Sequence, residues 1–349
     1  MRQNVKRVFY VSFIAHDEYP RIIATRPDVV LDRLEKTTTL EEALPTLNAA
    51  HVYQVSSARS DLPAHFMADG DLIARSPNLV LVSASGAGYD PVDVAACTRA
   101  GILVVNQSGG NREAVAEHVV GMMLCLSKRI IETDRIVRRQ AGVNRNDFLG
   151  HDIVGKTVGI IGLGNIGTRV AELCRGLFGM RVLACDPYVT ADAMKAWGAE
   201  KAALSDLLRA ADFVSVNCPL TAETQGLIGA AEFALMQPHA YFITTARGRI
   251  HDEAALAQAL RQKRIAGAGL DVWAKEPPPP DHPLMQFDNV VVSPHTAGVT
   301  HEARANVGRI AAENVLAALD GKRPERVLNP EAWPAYQRRF ERVFGITPQ

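Results

Sequence analysis

Short apolar runs rich in β-branched residues alternate along most of this chain with stretches whose apolar residues recur every three or four positions. The runs predict strands at 8–13, 29–34, 52–55, 79–83 and 103–106. Helical periodicity between them predicts helices such as 40–47 and 64–73. Residues 1–111 therefore read as a small α/β domain with a mostly parallel sheet. Val115, Val119, Met122 and Leu126 then form one apolar stripe, predicting a single long helix over 111–140 with Asn111 at its start. Strand runs at 158–161 and 182–185 flank a helical stretch marked by Ile166, Val170, Leu173 and Leu177. Further strands are predicted at 213–216, 241–244, 268–272 and 290–292, with helices near 204–211, 231–237 and 252–263. Six strands with intervening helices are the count of a complete doubly wound sheet, placed at 112–297. The proline-rich run 277–280 reads as a stiff surface turn. Val307, Ala311, Val315 and Leu319 predict a helix over 301–319 that returns to the first domain. That makes the first domain discontinuous, 1–111 with 298–349, and the chain a two-domain α/β protein without internal repeats.

The turn after the strand at 158–161 narrows the second domain's role. Gly162-x-Gly164-x-x-Gly167 follows that strand at once and opens the next helix. Gly162 permits a sharp turn, Gly164 lets a pyrophosphate approach the backbone, and Gly167 lets helix and strand pack closely. The helix start presents N–H groups and the positive end of its dipole. Asp186 stands 19 residues beyond Gly167, at the end of the next strand, where a carboxylate accepts hydrogen bonds from an adenosine ribose. A glycine-punctuated turn in another α/β protein would share the glycines, not the acid in register. The order predicts a dinucleotide site. Asp186 would repel a 2′-phosphate, which favours NAD over NADP.

Composition removes several classes. The chain has 349 residues, enough for two domains, and 38 basic against 38 acidic side chains, so its formal net charge is zero. Nothing in that balance points to a nucleic acid or a membrane surface, and no apolar segment approaches a bilayer span. Arg2, Lys6 and Arg7 precede an apolar run, but the run is short, contains Ser12 and is followed by acids, so it reads as a first strand rather than a signal peptide. A soluble, cytoplasmic protein is expected. Cys97, Cys125, Cys174, Cys185 and Cys218 show no metal-ligand spacing and read as buried thiols, so neither a disulfide framework nor a metal is expected.

Candidate chemistry gathers at predicted strand ends. In open α/β sheets ligands bind outside the carboxyl ends of the strands. In the first domain this selects the loops 56–59 and 85–90, and the glycines of the second expose N–H groups able to hold a small anion. In the second it selects Arg247, Glu276 and His295. A histidine suits removal of a hydroxyl proton near neutral pH. A carboxylate beside it favours the protonated ring and fixes its orientation, and an arginine grips a carboxylate at two points. The residues alone leave Arg249 competing with Arg247, and His239, His251, His282 and His301 competing with His295.

Seven stretches in order, at 85–93, 111–120, 155–167, 218–224, 245–253, 267–277 and 293–298, resemble the D-isomer-specific 2-hydroxyacid dehydrogenase family. They read SGAGYDPVD, NREAVAEHVV, GKTVGIIGLGNIG, CPLTAET, TARGRIHDE, GAGLDVWAKEP and SPHTAG. The resemblance implies a flavodoxin-like substrate domain, an inserted Rossmann-type NAD-binding domain and a cleft between them. It implies interconversion of a D-2-hydroxy acid and its 2-oxo acid, with His295 as acid–base group, Glu276 as its partner and Arg247 as carboxylate anchor. Around NAD it implies Gly162, Gly164, Asn165, Ile166, Gly167, Asp186, Cys218, Pro219, Thr224, Thr245, Ala246, Arg247, Asp271, His295, Ala297 and Gly298. Ala87 and Gly88 would contact the substrate carboxylate together with Arg247 and His295. A homodimer joined through the NAD-binding domain is also implied. Glu276 stands where formate dehydrogenases of the family carry glutamine, and Ala87 where phosphite dehydrogenases carry lysine, which disfavours both substrates. Val143 replaces a usual tryptophan. The chain ends soon after Pro330, so no regulatory C-terminal domain is expected. The alternative is a nucleotide-sensing binding protein like the corepressors of this fold; no basic patch or long disordered tail supports it.

Overall fold

Two parallel sheets, one in each of two units, organise this computed structural model, which describes residues 5–348. Arg2 of the basic N-terminus lies outside the described residues. The first unit runs to Asn111 and resumes at Thr300; the second is Arg112–Val299.

The first unit holds β1 (Lys6–Val11), β2 (Val29–Leu34), β3 (Val52–Val55), β4 (Leu81–Ala84) and β5 (Leu103–Val105), in the order β2-β1-β3-β4-β5. Both faces of this sheet are covered, which is why its strands read as continuous apolar runs. Val8, Val52, Leu81 and Leu103 pack on one side with Ala311, Val315 and Leu319 of the helix His301–Leu319. Phe9, Tyr53, Val82 and Val104 pack on the other, with Phe9 stacked on Tyr53 at 4.2 Å between ring centroids. Several expected bounds shift. The first strand ends at Val11 because Ser12 turns the chain at a φ of 56°. The helix expected over 64–73 is broken in two, Ala64–Phe66 and Gly70–Ala74. Asp69 breaks it by accepting the N–H groups of Asp71 and Leu72 as an N-cap. A further helix, Trp333–Phe344, was not foreseen; it buries Tyr336 and Phe340, one turn apart.

The second unit holds β6 (Thr157–Ile161), β7 (Arg181–Cys185), β8 (Glu200–Lys201), β9 (Phe213–Val216), β10 (Tyr241–Thr244), β11 (Gly267–Leu270) and β12 (Val290–Val292). Their order is β12-β11-β10-β9-β6-β7-β8. There are thus seven strands where six were expected. The extra one, β8, is two exposed charged residues paired to β7, with no apolar run to announce it. Strand glycines let helices close on the sheet. A Cβ on Gly159 would run into Leu207 and Ala211, and one on Gly269 would lie 2.9 Å from the Met122 sulfur.

The single helix expected over 111–140 is two, Arg112–Ser127 and Ile130–Val137. Arg129 between them is left-handed at φ 54°, and the Ser127 carbonyl accepts from the His151 N–H instead of continuing the helix. Among the described residues no helix is long and apolar enough to cross a membrane. The five cysteines are free thiols: Cys97, Cys174 and Cys218 are buried, while Cys125 and Cys185 are partly accessible. Burial pushes the Cys97 and Cys174 thiols up to about 12, which leaves them unreactive.

Candidate active site

The carboxyl end of β6 opens directly into the glycine turn. Gly162 has a φ of 90°, a conformation that L side chains rarely adopt, and a Cβ there would lie 2.6 Å from the Cys218 nitrogen. Gly167 starts its helix so close to the strand that a Cβ would collide with the Gly162 carbonyl oxygen. Gly164 faces open space, with nothing within 4 Å of where its Cβ would be. It precedes the helix Asn165–Phe178, whose start, with Ile166 in its first turn, carries no side-chain cap. Asp186 follows β7 and is tied to the turn: its Oδ2 accepts the Leu163 N–H and its Oδ1 the Tyr188 N–H, both at 2.9 Å. Each oxygen keeps a lone pair for a sugar hydroxyl. An open backbone cradle beside an oriented carboxylate fits the pyrophosphate and ribose of a dinucleotide. Beyond β9, Cys218 packs on Gly162, and Thr224 closes its loop by donating to the Pro219 carbonyl at 2.6 Å.

The chemistry-bearing residues lie past β10, β11 and β12. Thr245 and Ala246 lead from β10 into Arg247, which begins the tight turn Gly248–Ile250. From β11 the chain runs through Asp271 to Glu276, and from β12 through Ser293 to His295. His295 Nδ1 and Glu276 Oε2 lie 2.7 Å apart. Burial works to raise the Glu276 pKa, but the bond to His295, its charge, the Trp273 N–H and the Arg247 guanidinium outweigh it and hold the carboxyl below its ordinary value. That influence places the charge of Arg247 within electrostatic reach of the pair.

Gly248 makes this convergence possible. A Cβ there would fall inside 3.0 Å of the Trp273 carbonyl group and the Ala274 nitrogen. Those are backbone atoms, so they cannot swing aside as a side-chain tip can. Gly248→Ala is expected to separate the Arg247 turn from the 271–276 segment and to lower turnover at least tenfold. It should also lower stability by about 1–3 kcal/mol. Steady-state rates and thermal melting check both.

His295 is held in an unusual backbone conformation, φ 58°, which costs about 1–3 kcal/mol for a residue other than glycine. Asp271 secures it. Its carbonyl accepts the His295 N–H, and its buried carboxylate accepts the N–H groups of Thr296 at 2.7 Å and Ala297 at 3.0 Å, immediately before Gly298. Ser293 Oγ adds a bond of 2.6 Å to the same carboxylate, and His118 Nε2 lies 3.0 Å from that oxygen. Neither His118 nor Ser293 was foreseen as part of the site. Glu253 was not foreseen either: it accepts the Ala274 N–H and lies 3.3 Å from His282, bracing the segment that ends in Glu276. No spacing rule could have found these links, which join residues 21 to 175 positions apart.

Of the competing side chains, His282 lies in the brace with Glu253. His239 pairs with Asp212 at 3.0 Å near the amino ends of β9 and β10. His251 is buried with neither ring nitrogen bonded, and burial pulls its pKa down to about 4. His301 begins a helix of the first unit, and Arg249 is exposed. In the first unit, Ala87 and Gly88 follow β4. Asn106 fixes the Ala87 carbonyl at 2.8 Å and Gln107 accepts the Gly86 N–H. The N–H groups of Ala87 and Gly88 have no acceptor among the described residues.

Comparison with known proteins identifies the family. Residues 120–297 match the sequence profile of the D-isomer specific 2-hydroxyacid dehydrogenase, NAD binding domain. The chain is 42% identical over 253 residues to the D-3-phosphoglycerate dehydrogenase of Archaeoglobus fulgidus, a match covering 72% of this chain but only about half (48%) of that protein. It is 41% identical over 278 residues to the glyoxylate reductase of Aeropyrum pernix, covering 78% of this chain and 83% of the relative. The crystal structure of D-lactate dehydrogenase from Aquifex aeolicus complexed with NAD and lactic acid is similar with a TM-score of 0.76 at 28% identity, covering 90% of this chain and 96% of that one. The chain belongs to the D-isomer-specific 2-hydroxyacid dehydrogenase family of oxidoreductases, and residues 120–297, within its second unit, match the family's NAD-binding domain.

Proposed function

We propose that this chain interconverts a D-2-hydroxy acid and the matching 2-oxo acid, with NAD as hydride carrier. The observation that carries the reading is the 2.7 Å His295–Glu276 pair, at the same sheet edge as the glycine turn, with the Arg247 charge contributing to the lowered Glu276 pKa. Gly162, Gly164, Gly167 and the helix start would hold the pyrophosphate, and Asp186 the ribose. Bound there, NAD would supply the hydride acceptor for oxidation of the hydroxy acid and, as NADH, the hydride donor for reduction of the oxo acid. Glu276 occupies Nδ1 of His295, which leaves Nε2 to take the hydroxyl proton in oxidation and to give it back in reduction. Arg247 would grip the substrate carboxylate and polarise the adjacent carbonyl. In the first unit, the N–H groups of Ala87 and Gly88 would serve as donors to a small anion.

The test is a panel of 2-oxo acids (glyoxylate, hydroxypyruvate, pyruvate, aromatic and branched) with NADH and with NADPH. Turnover of at least one acid, with NADH preferred at least tenfold in kcat/KM, is expected. No turnover across the panel overturns the function, and an NADPH preference overturns the role of Asp186.

A homodimer through the second unit is part of this reading. The helix Ile130–Val137 buries none of its residues, and Val137, Leu149 and Val154 are 61%, 77% and 69% exposed. These exposed apolar side chains are ones a subunit contact would cover. Val137→Asp combined with Leu149→Asp is expected to give a monomer by analytical ultracentrifugation; an unchanged dimer moves the interface elsewhere.

A further inference from the structure

We propose that His118 is a positioning residue for the turn that carries His295, acting through Ser293 and Asp271. The direction of each bond follows from the groups. A carboxylate only accepts, so the Ser293 hydroxyl, 2.6 Å from Asp271 Oδ1, must donate to it. A hydroxyl has one proton. Ser293 Oγ can therefore only accept from His118 Nε2 at 3.0 Å, and that nitrogen carries hydrogen. The chain of bonds runs from His118 on the helix Arg112–Ser127, through Ser293 after β12, to Asp271 after β11.

Its far end is the turn itself. The N–H groups of 295, 296 and 297 converge on Asp271, one on its carbonyl and two on its carboxylate. Such consecutive N–H groups around a left-handed residue form a concave anion seat. The Asp271 side chain is 1% exposed, so the seat works only while that carboxylate holds one orientation. Two donors on backbone amides fix it from the turn side. Ser293, two residues before His295 on the same exit from β12, fixes it through its hydroxyl, and His118, 3.9 Å from Oδ1, fixes Ser293. The Trp273 indole N–H also donates to the Ser293 carbonyl at 3.1 Å, which holds the Ser293 backbone and leaves its hydroxyl for this link.

Amide hydrogen exchange at Thr296 and Ala297 tests the link directly, in the full-length protein. His118→Ala is expected to speed exchange at both amides about tenfold, and His118→Gln, whose side-chain N–H can replace Nε2–H, to restore protection. Ser293→Ala cuts the same chain at its middle and should reproduce the alanine result if His118→Ala does not fold. A second arm rests on the proposed function: with the best oxo acid of the panel, kcat should fall about tenfold in His118→Ala while KM changes less than threefold, and the glutamine variant should recover most of it. Unchanged exchange in both alanine variants overturns the proposal. So does faster exchange with an unchanged kcat in an active enzyme. Faster exchange in a protein that turns over no oxo acid upholds the positioning link and counts against the proposed function alone.

Discussion

His295→Ala is expected to lower kcat by a factor of about 10²–10⁴, the usual contribution of a positioned acid–base group. The ring is only partly buried, with a side chain 37% exposed, and it supports no core cluster, so the loss should come without a comparable loss of stability. Thermal melting separates the two. The partner adds a pH signature. Glu276 is held below the ordinary carboxyl value of 4.5 by the His295 bond and charge, the Trp273 N–H and Arg247, against the opposing effect of burial. A depressed carboxylate stays ionised to lower pH, so its pairing is complete above 4.5 and is lost as pH falls through the depressed value. In reduction, where His295 enters with its proton, the acid limb of kcat due to Glu276 should therefore lie below pH 4.5 for as long as the protein stays folded. Glu276→Gln keeps an acceptor for Nδ1 but carries no titrating group, so the part of that limb due to Glu276 should vanish while kcat falls at every pH. A His295→Ala variant with kcat within threefold of the wild type would move the acid–base role to another residue.

Why the catalytic candidates were legible while their supports were not follows from distance along the chain. Arg247, Glu276 and His295 each lie just past an apolar strand run, and parallel strands deliver their carboxyl ends to one edge. The runs stand out because both sheets are covered on both faces, so every residue of β3, β4, β9 and β10 is buried. The short β8 has no buried residue and left no trace. The break at Arg129 depends on a carbonyl captured by His151, 24 residues downstream of Ser127, which no local propensity encodes. Asp271 is the clearest case. The family resemblance marked it as a cofactor contact; in the structure its carboxylate accepts from Ser293 and the 296–297 amides. Only the packed loops reveal that it holds the turn on which His295 stands.

Arg247→Ala is expected to reduce kcat/KM for the 2-oxo acid by about 10³, equivalent to about 4 kcal/mol of transition-state stabilisation. Two losses combine in that figure: the two-point grip on the substrate carboxylate and the positive charge beside the carbonyl that gains electron density. The first raises KM and the second lowers kcat, so both constants should move. Arg247→Lys separates them, because lysine keeps the charge on a flexible stem and cannot form the planar fork. It should recover part of kcat and little of KM. The backbone at this position is held by Gly248 pressed beneath Trp273 and by the buried Ile250, with one further bond of 2.7 Å from the Arg247 side chain to the Ala246 carbonyl. Neither variant should therefore unfold the turn, and thermal melting within a few degrees of the wild type is expected for both. The competing residue is two positions away. Arg249 is exposed within the same turn, on the far side of Gly248 in sequence. If Arg247→Ala leaves KM unchanged while Arg249→Ala raises it, the anchor is Arg249, and the charge beside Glu276 serves only to keep that carboxylate ionised.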